Sequence, residues 1–367
     1  MNNSLFFPET VGTLTVPNRL VRSATAERMA DAEGRPKPEL VQLYRELARG
    51  GVGLIITGHM YVHPSGKCHP EMAGIYDDGL TPALTQLTDA VHEESGWIAV
   101  QINHGGMQCS REMVSGTMAP SAMDMPALQQ PAREMTADDI TMIIDAYAQA
   151  ARRAKVAGFD AVQLHGAHGY LINQFLSPFV NRRTDAWGGD LHGRMHFLRA
   201  VCEAVRAQVG PDYPVFIKLG MVDGVEGGLT LDEGVEVVAA LAEMGLDAVE
   251  ISGGITGGQI NNSRPGIRGG ADEAYFRDFA KAARSATQLP LMLVGGFRSR
   301  AVMDDVLDSG DADFISLCRP LISEPDFPMR LQQGQAQAAC ISGNRCWPKS
   351  DGEGIACRCL EKVRNEK

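Results

Sequence analysis

The chain has 367 residues, 44% of them hydrophobic and 22% charged, with a formal net charge of −11. This exceeds the ~100–200 residues of a common domain but suits one α/β barrel with extensions, and so ordinary a composition excludes disorder and fibrous repeats. The acidic balance argues against a nucleic-acid partner, which needs a basic footprint, and apolar runs such as "GVGLII" and "LPLMLVGG" fall well short of the ~20 residues of a membrane span.

The opening "MNNSLFFPETVG" lacks the basic and then apolar build of a signal peptide, so a cytoplasmic protein is expected. In that reducing setting Cys68, Cys109, Cys202 and Cys318 are expected as free thiols, while Cys340, Cys346, Cys357 and Cys359 crowd the tail.

Strand-like and helix-like stretches alternate along the chain. In order they are strand Leu20–Ser23 and helix Glu39–Arg49; Gly53–Thr57 and Thr81–Glu94; Ile98–Asn103 and Ala137–Ala157; Ala161–His165 and Gly193–Val209. Four more pairs follow: Val215–Leu219 and Leu231–Glu243; Ala248–Ser252 and Glu273–Ser285; Leu291–Gly295 and Arg300–Ser309; Phe314–Leu317 and Phe327–Gln333. Strict alternation predicts a closed (β/α)8 TIM barrel over an open doubly wound sheet. We expect it over residues 1–335, with a cysteine-containing extension over 336–367. The segments "AGFDAVQL", "MGLDAVEI" and "SGDADFISL" each set a helix-ending Gly and an Asp ahead of a strand, which marks repeated βα units. The connections Gly105–Met135 and Gly166–Leu191 are long and leave from carboxyl ends of strands, where barrel enzymes build their sites.

The fourth unit carries His165, His168 and Tyr170. Metal binding is one reading, although no carboxylate or thiolate stands at a suitable spacing. A second reading makes the imidazoles donors to a substrate oxygen and the phenol a general acid. A third makes the pair a hydrogen-bonded rim. Lys218, inside the apolar strand "VFIKLG", needs a partner, whether a bound anion or a buried carboxylate. Gly295 and Gly296 after the seventh strand, with Cys318 and Arg319 after the eighth, suit a phosphate at the corner where barrels often hold one.

The run H-G-A-H-G-Y-L, then Q-F-L-S-P and N-R-R-T-D-A-W-G-G, closely resembles the signature of the old yellow enzyme family of FMN-dependent ene-reductases and NADH:flavin oxidoreductases. "LFFPETVGTLTVPNRLVRSAT", "YRELARGGVGLIITG", "VQINHGG", "APSA" and "ADFISLCRPLISEPDFP" extend the likeness over nearly the whole chain. It implies that His165 and His168 hold the activating group of the substrate and that Tyr170 donates a proton. It places Gln101 and Lys218 at the flavin pyrimidine edge, where a fixed cation eases reduction. Ser23, Ala24, Thr25, Ala26, Gly58 and His59 complete the flavin contacts, and Gly295, Gly296, Cys318 and Arg319 take the phosphate. Cys318 stands where the family has glycine, which a backbone donor tolerates. Ala26 stands where thermophilic-type members carry a cysteine, so thiol tuning of the flavin is not expected. His59 replaces a commonly small residue, either shaping the pocket or lying in a surface loop.

The tail "CISGNRCWPKSDGEGIACRC" resembles the [4Fe–4S] region of larger relatives such as 2,4-dienoyl-CoA reductase, but Gly343 and Trp347 occupy two ligand places. Remnant thiols or a structural contact are therefore expected, with a four-cysteine zinc site as the alternative. The chain ends at Lys367 without the appended nucleotide domains of those relatives, so NADH or NADPH is expected to reduce FMN directly, in ping-pong fashion. The implied substrate is an α,β-unsaturated carbonyl or similar electron-poor alkene. Two other readings are a flavin-free phosphate-binding lyase or isomerase and a flavin-binding sensor without turnover. Close family members often assemble, so a homo-oligomer is compatible with the resemblance.

Overall fold

The computed structural model of the protein describes residues 4–350 and 352–359. Eight parallel strands close into a barrel: β1 (Leu20–Arg22), β2 (Leu54–Ile56), β3 (Ile98–Asn103), β4 (Ala161–Gly166), β5 (Val215–Gly220), β6 (Ala248–Ser252), β7 (Leu291–Val294) and β8 (Phe314–Leu317). Parallel pairing of β8 with β1, Ser316 opposite Val21, seals the ring. The crossover helices are α1 (Pro38–Arg49), α2 (Thr81–His92), α3 (Ala137–Val156), α4 (Leu191–Val209), α5 (Leu231–Ala240), α6 (Arg277–Arg284), α7 (Arg300–Asp308) and α8 (Phe327–Gln332). The expected (β/α)8 barrel is the observed fold.

The repeated Gly and Asp have separate tasks. Gly158, Gly245 and Gly310 take the left-handed backbone that ends a helix, with φ of +89°, +80° and +74°. Asp160, Asp247 and Asp313 then accept the first N–H of the neighbouring strand, from Ile98, Val215 and Leu291, at 2.7–2.8 Å. Each carboxylate fixes where two strands begin relative to one another. Capping boxes start α3 (Thr136 with Asp139) and α5 (Thr230 with Glu233). Helix α6 starts at Arg277, later than the expected Glu273. The Glu273 carboxylate instead staples the β7–α7 loop, accepting from Arg298 N (2.6 Å), Ser299 N (2.8 Å) and Ser299 Oγ (2.6 Å).

Alternate residues of each strand face the barrel axis. The lowest inward layers are apolar: Val21, Leu54, Ile56, Ala99, Ala161, Phe216, Ala248, Met292 and Phe314 form one buried cluster. An antiparallel hairpin, Glu9–Val11 with Leu14–Val16, adds Val11, Leu14 and Val16 to it. Its turn, Gly12, lies against Pro214 and Asp247, just before β5 and β6 begin, so the hairpin closes the amino-terminal end. Two residues further along the strands the inward positions become polar, as Phe216 gives way to Lys218 and Ala248 to Glu250. That change of polarity sets the floor of the site at the carboxyl end. Among the described residues no helix is long and apolar enough to cross a membrane.

Candidate active site

The floor is a fully buried polar network. Lys218 Nζ donates to Ser23 Oγ at 2.8 Å and stands 3.2 Å from Glu250 Oε1. Ser23 Oγ donates to Glu250 Oε1 at 2.7 Å, and Gln163 Nε2 donates to Glu250 Oε2 at 3.0 Å. Gln101 Nε2 in turn donates to Gln163 Oε1 at 2.7 Å. Pairing and hydrogen bonds satisfy both buried side chains, which is what a charge placed among apolar strands requires.

His165, His168 and Tyr170 rise above this floor where β4 ends. The ring centroid of His165 is 5.3 Å from that of His168 and 4.6 Å from that of Tyr170. His168 adopts a left-handed backbone, φ 63°, uncommon for a residue with a side chain. The turn is held from both sides: Gln108 Nε2 donates to His168 O at 2.7 Å, and Gly169 N donates to Asn173 Oδ1 at 2.7 Å. His168 Nε2 lies 2.8 Å from Ser252 Oγ, while the buried Nδ1 of His165 has no partner among the described residues.

Burial sets the charge states. It pushes His168 down to about 3, with help from the Lys218 ammonium, and His59 down to about 4. His165 is held well below the usual imidazole range by burial and by His168. At neutral pH these rings are uncharged, each with one N–H to donate. Burial holds the Tyr170 hydroxyl above its ordinary range, hence protonated.

A cavity of about 280 Å³ brings together every expected site residue except Gly58 and Gly295. Ser23, Ala24, Thr25 and Ala26 line it from β1, His59 from the β2 loop, Gln101 and Lys218 from the floor, and Gly296, Cys318 and Arg319 from the β7 and β8 ends. Gly58 lies behind this wall. Its N–H donates to Glu27 Oε1 (3.0 Å) and to Tyr44 OH (3.1 Å), in a buried knot where Glu27 also holds Arg22 at 2.5 Å. Gly295 is likewise set back, its carbonyl accepting from Tyr275 N at 3.1 Å.

Sequence reasoning missed Gln163 and named no carboxylate for Lys218. Glu250 was readable, since it lies in the apolar strand "AVEIS", and the structure sets it directly opposite Lys218. Trp347 and Ser342, which also line the cavity, carried no periodic signal. They come from the tail, which is tied across the barrel mouth by Gly266 N to Ser342 O, Ile355 N to Glu27 O (both 2.9 Å) and Gly352 N to Glu71 Oε1 (2.7 Å). Among the described residues no His, Cys, Asp and Glu cluster is arranged to hold a metal ion.

These residues fit a flavin mononucleotide. Lys218 and Gln101 offer a cation and an amide on one edge, and the orphaned His165 Nδ1 and Ser316 Oγ stand in the wall. Arg319 is held by neutral acceptors, Arg264 O at 2.8 Å and Asn344 Oδ1 at 2.5 Å, with no carboxylate against it among the described residues. Its charge is available to a phosphate.

The sequence profile of the NADH:flavin oxidoreductase / NADH oxidase family matches residues 4–338. An NADH oxidase of Thermoanaerobacter brockii is 34% identical over 346 residues, covering 93% of this chain and 53% of its own length. This chain thus spans about half of that relative. An NADPH dehydrogenase of Geobacillus thermodenitrificans is 36% identical over 329 residues, covering 89% of this chain and 93% of its own. A 2-naphthoyl-CoA reductase complex superposes with a TM-score of 0.85 at 28% identity, covering 92% of this chain and 54% of that one. Barrel, cavity and profile agree that the chain belongs to the NADH:flavin oxidoreductase / NADH oxidase family, the FMN-dependent NAD(P)H oxidoreductases of old yellow enzyme type.

Proposed function

We propose that this protein uses FMN and NADH or NADPH to reduce the activated C=C bond of an α,β-unsaturated carbonyl or a related electron-poor compound. The observation that carries this reading is the convergence of two neutral imidazoles and a protonated phenol above a buried ammonium, on one cavity. Gln101 and Lys218 would hold the ring edge of FMN, and Gly296, Cys318 and Arg319 its phosphate. Bound there, FMN would supply the redox chemistry that links the nicotinamide to the β-carbon of the alkene.

The chain's own groups do the rest. His165 and His168 donate N–H to the substrate oxygen and stabilise the charge that grows on it. Losing one such donor typically costs ~3–4 kcal/mol of barrier. Being neutral, the imidazoles polarise the oxygen without protonating it. Tyr170 then gives its hydroxyl proton to the α-carbon. Nucleotide and alkene take turns in this single cavity, a ping-pong order. The reading includes the cytoplasmic setting expected from the sequence, with which eight unpaired thiols agree.

The test is direct. The purified chain should be yellow, oxidise NADH or NADPH with an enone as acceptor, and show a spectral shift on titration with a phenol. That shift should vanish in the His165→Ala/His168→Ala double variant. A colourless protein that takes up no added FMN would favour a phosphate-binding lyase or isomerase. Stoichiometric FMN without nucleotide oxidation would favour a sensor.

A further inference from the structure

Behind Tyr170 lie two thiols that the reaction above does not use. Cys68, in the loop after β2, is partly exposed, and Cys109, in the loop after β3, is buried. A Cβ built on Gly105 would stand 2.5 Å from each sulfur, so the two thiols meet at the space this glycine leaves open. They bond to neighbouring carbonyls of one turn, Cys109 Sγ to Ser65 O at 3.3 Å and Cys68 Sγ to Gly66 O at 3.6 Å. The Cys68 thiol and burial together hold Cys109 well above the ordinary thiol range. Of the pair, solvent therefore reaches Cys68 first.

We propose that Cys68 and Cys109 are a redox-modification site, closing to a reversible disulfide when the protein meets hydrogen peroxide. The Cys68 thiolate attacks one peroxide oxygen; the O–O bond breaks, hydroxide leaves and Cys68 becomes a sulfenic acid. The Cys109 sulfur then attacks the Cys68 sulfur. The S–S bond forms as the S–O bond breaks, and the departing hydroxyl leaves as water with the Cys109 proton. Overall, two thiols and one peroxide give one disulfide and two waters.

The bond would be felt at the active site. Gly105 N donates to Gly66 O at 3.0 Å, so the two loops are already tied to each other. Gly105 O accepts from Gln174 Nε2 at 3.2 Å, and Gln174 N donates to Tyr170 O at 2.8 Å. Drawing the sulfurs to a bond of about 2.05 Å shifts the Gly105 turn, hence Gln174 and the seat of Tyr170. Slower alkene reduction follows, a consequence that rests on the role proposed for Tyr170.

The full-length, FMN-loaded protein is treated with hydrogen peroxide, and its thiols and tryptic peptides are analysed. The expected result is a Cys68–Cys109 linked peptide that dithiothreitol reverses. Cys109→Ser should leave a dimedone-reactive sulfenic acid at Cys68, and Cys68→Ser should leave Cys109 unoxidised. Over-oxidation of Cys68 with Cys109 still free, or a link to another cysteine, overturns the proposal. Enone turnover should fall at least tenfold with the link and recover with dithiothreitol. Unchanged turnover in the linked protein overturns the coupling to Tyr170. Absence of enone turnover before oxidation counts against the function proposed above, and the linked peptide still decides the disulfide.

Discussion

Lys218 and Glu250 face each other across β5 and β6, ammonium and carboxylate 3.2 Å apart at the centre of the barrel. Neither can be removed alone without stranding the other. Lys218→Met leaves a buried carboxylate uncompensated and should lower unfolding stability by ~3–5 kcal/mol. The Lys218→Met/Glu250→Gln double variant should recover much of that. Urea denaturation of the cycle measures the coupling, and strictly additive losses would contradict a direct pair.

Among the described residues Tyr170 makes no hydrogen bond that would hold its hydroxyl in place for purely structural reasons, and burial keeps it protonated. Tyr170→Phe should cut enone turnover by ~10²–10⁴-fold. Reduction of the flavin by NADH or NADPH, followed by stopped-flow absorbance, should be unaffected. A matching fall in both half-reactions would remove the phenol from proton transfer.

Acid should destabilise the fold through its buried histidines. Unfolded, each takes up a proton near the usual ~6.5. Folded, His59 stays neutral down to about 4, and His69, His104 and His168 down to about 3, all chiefly through burial. Between these limits the unfolded chain binds more protons, so stability rises with pH and is lost as pH falls below ~6.5. Each histidine contributes about 1.4 kcal/mol per pH unit in that window. Denaturation curves from pH 7 down to the onset of acid unfolding should show it, and His59→Gln should make the slope shallower. An identical slope in that variant would mean that His59 is not buried neutral.

Gly58 stands against the Glu27 knot, where a Cβ would be 2.0 Å from Glu27 Oε2 and 2.4 Å from Thr25 O. Gly58→Ala should therefore cost ~1–3 kcal/mol or more by overpacking. It should also weaken FMN retention, because Thr25 lines the cavity. Thermal melting and flavin release on dilution measure the two effects. Wild-type behaviour in both would show that the loop absorbs a methyl group freely.

The barrel was legible because its strands are apolar runs and its helices have the right period and length. Elements whose existence depends on tertiary context were not. The hairpin Glu9–Val16 is too short to show a pattern, and Met60–Tyr61 is a strand only because Ile102 and Asn103 pair with it. Helix Leu171–Leu176 is buried on every side, Asn173 and Gln174 included, so it has no exposed face to betray its period. At the site, residues inside the signature or at strand ends were readable. Gly58 and Gly295 were named for their places after strands, yet a backbone amide or carbonyl can turn toward the core as easily as toward the mouth. Gln163 reads as one more residue of an apolar strand until Gln101 and Glu250 are set beside it.

The hairpin stopper of Val11, Leu14 and Val16 makes the chamber a cul-de-sac. Whatever enters above Lys218 cannot leave by passing through, so arrivals and departures share one doorway. In the proposed reaction a spent guest would back out before its successor is seated, and Trp347 of the tail lines the cavity where that exchange would take place.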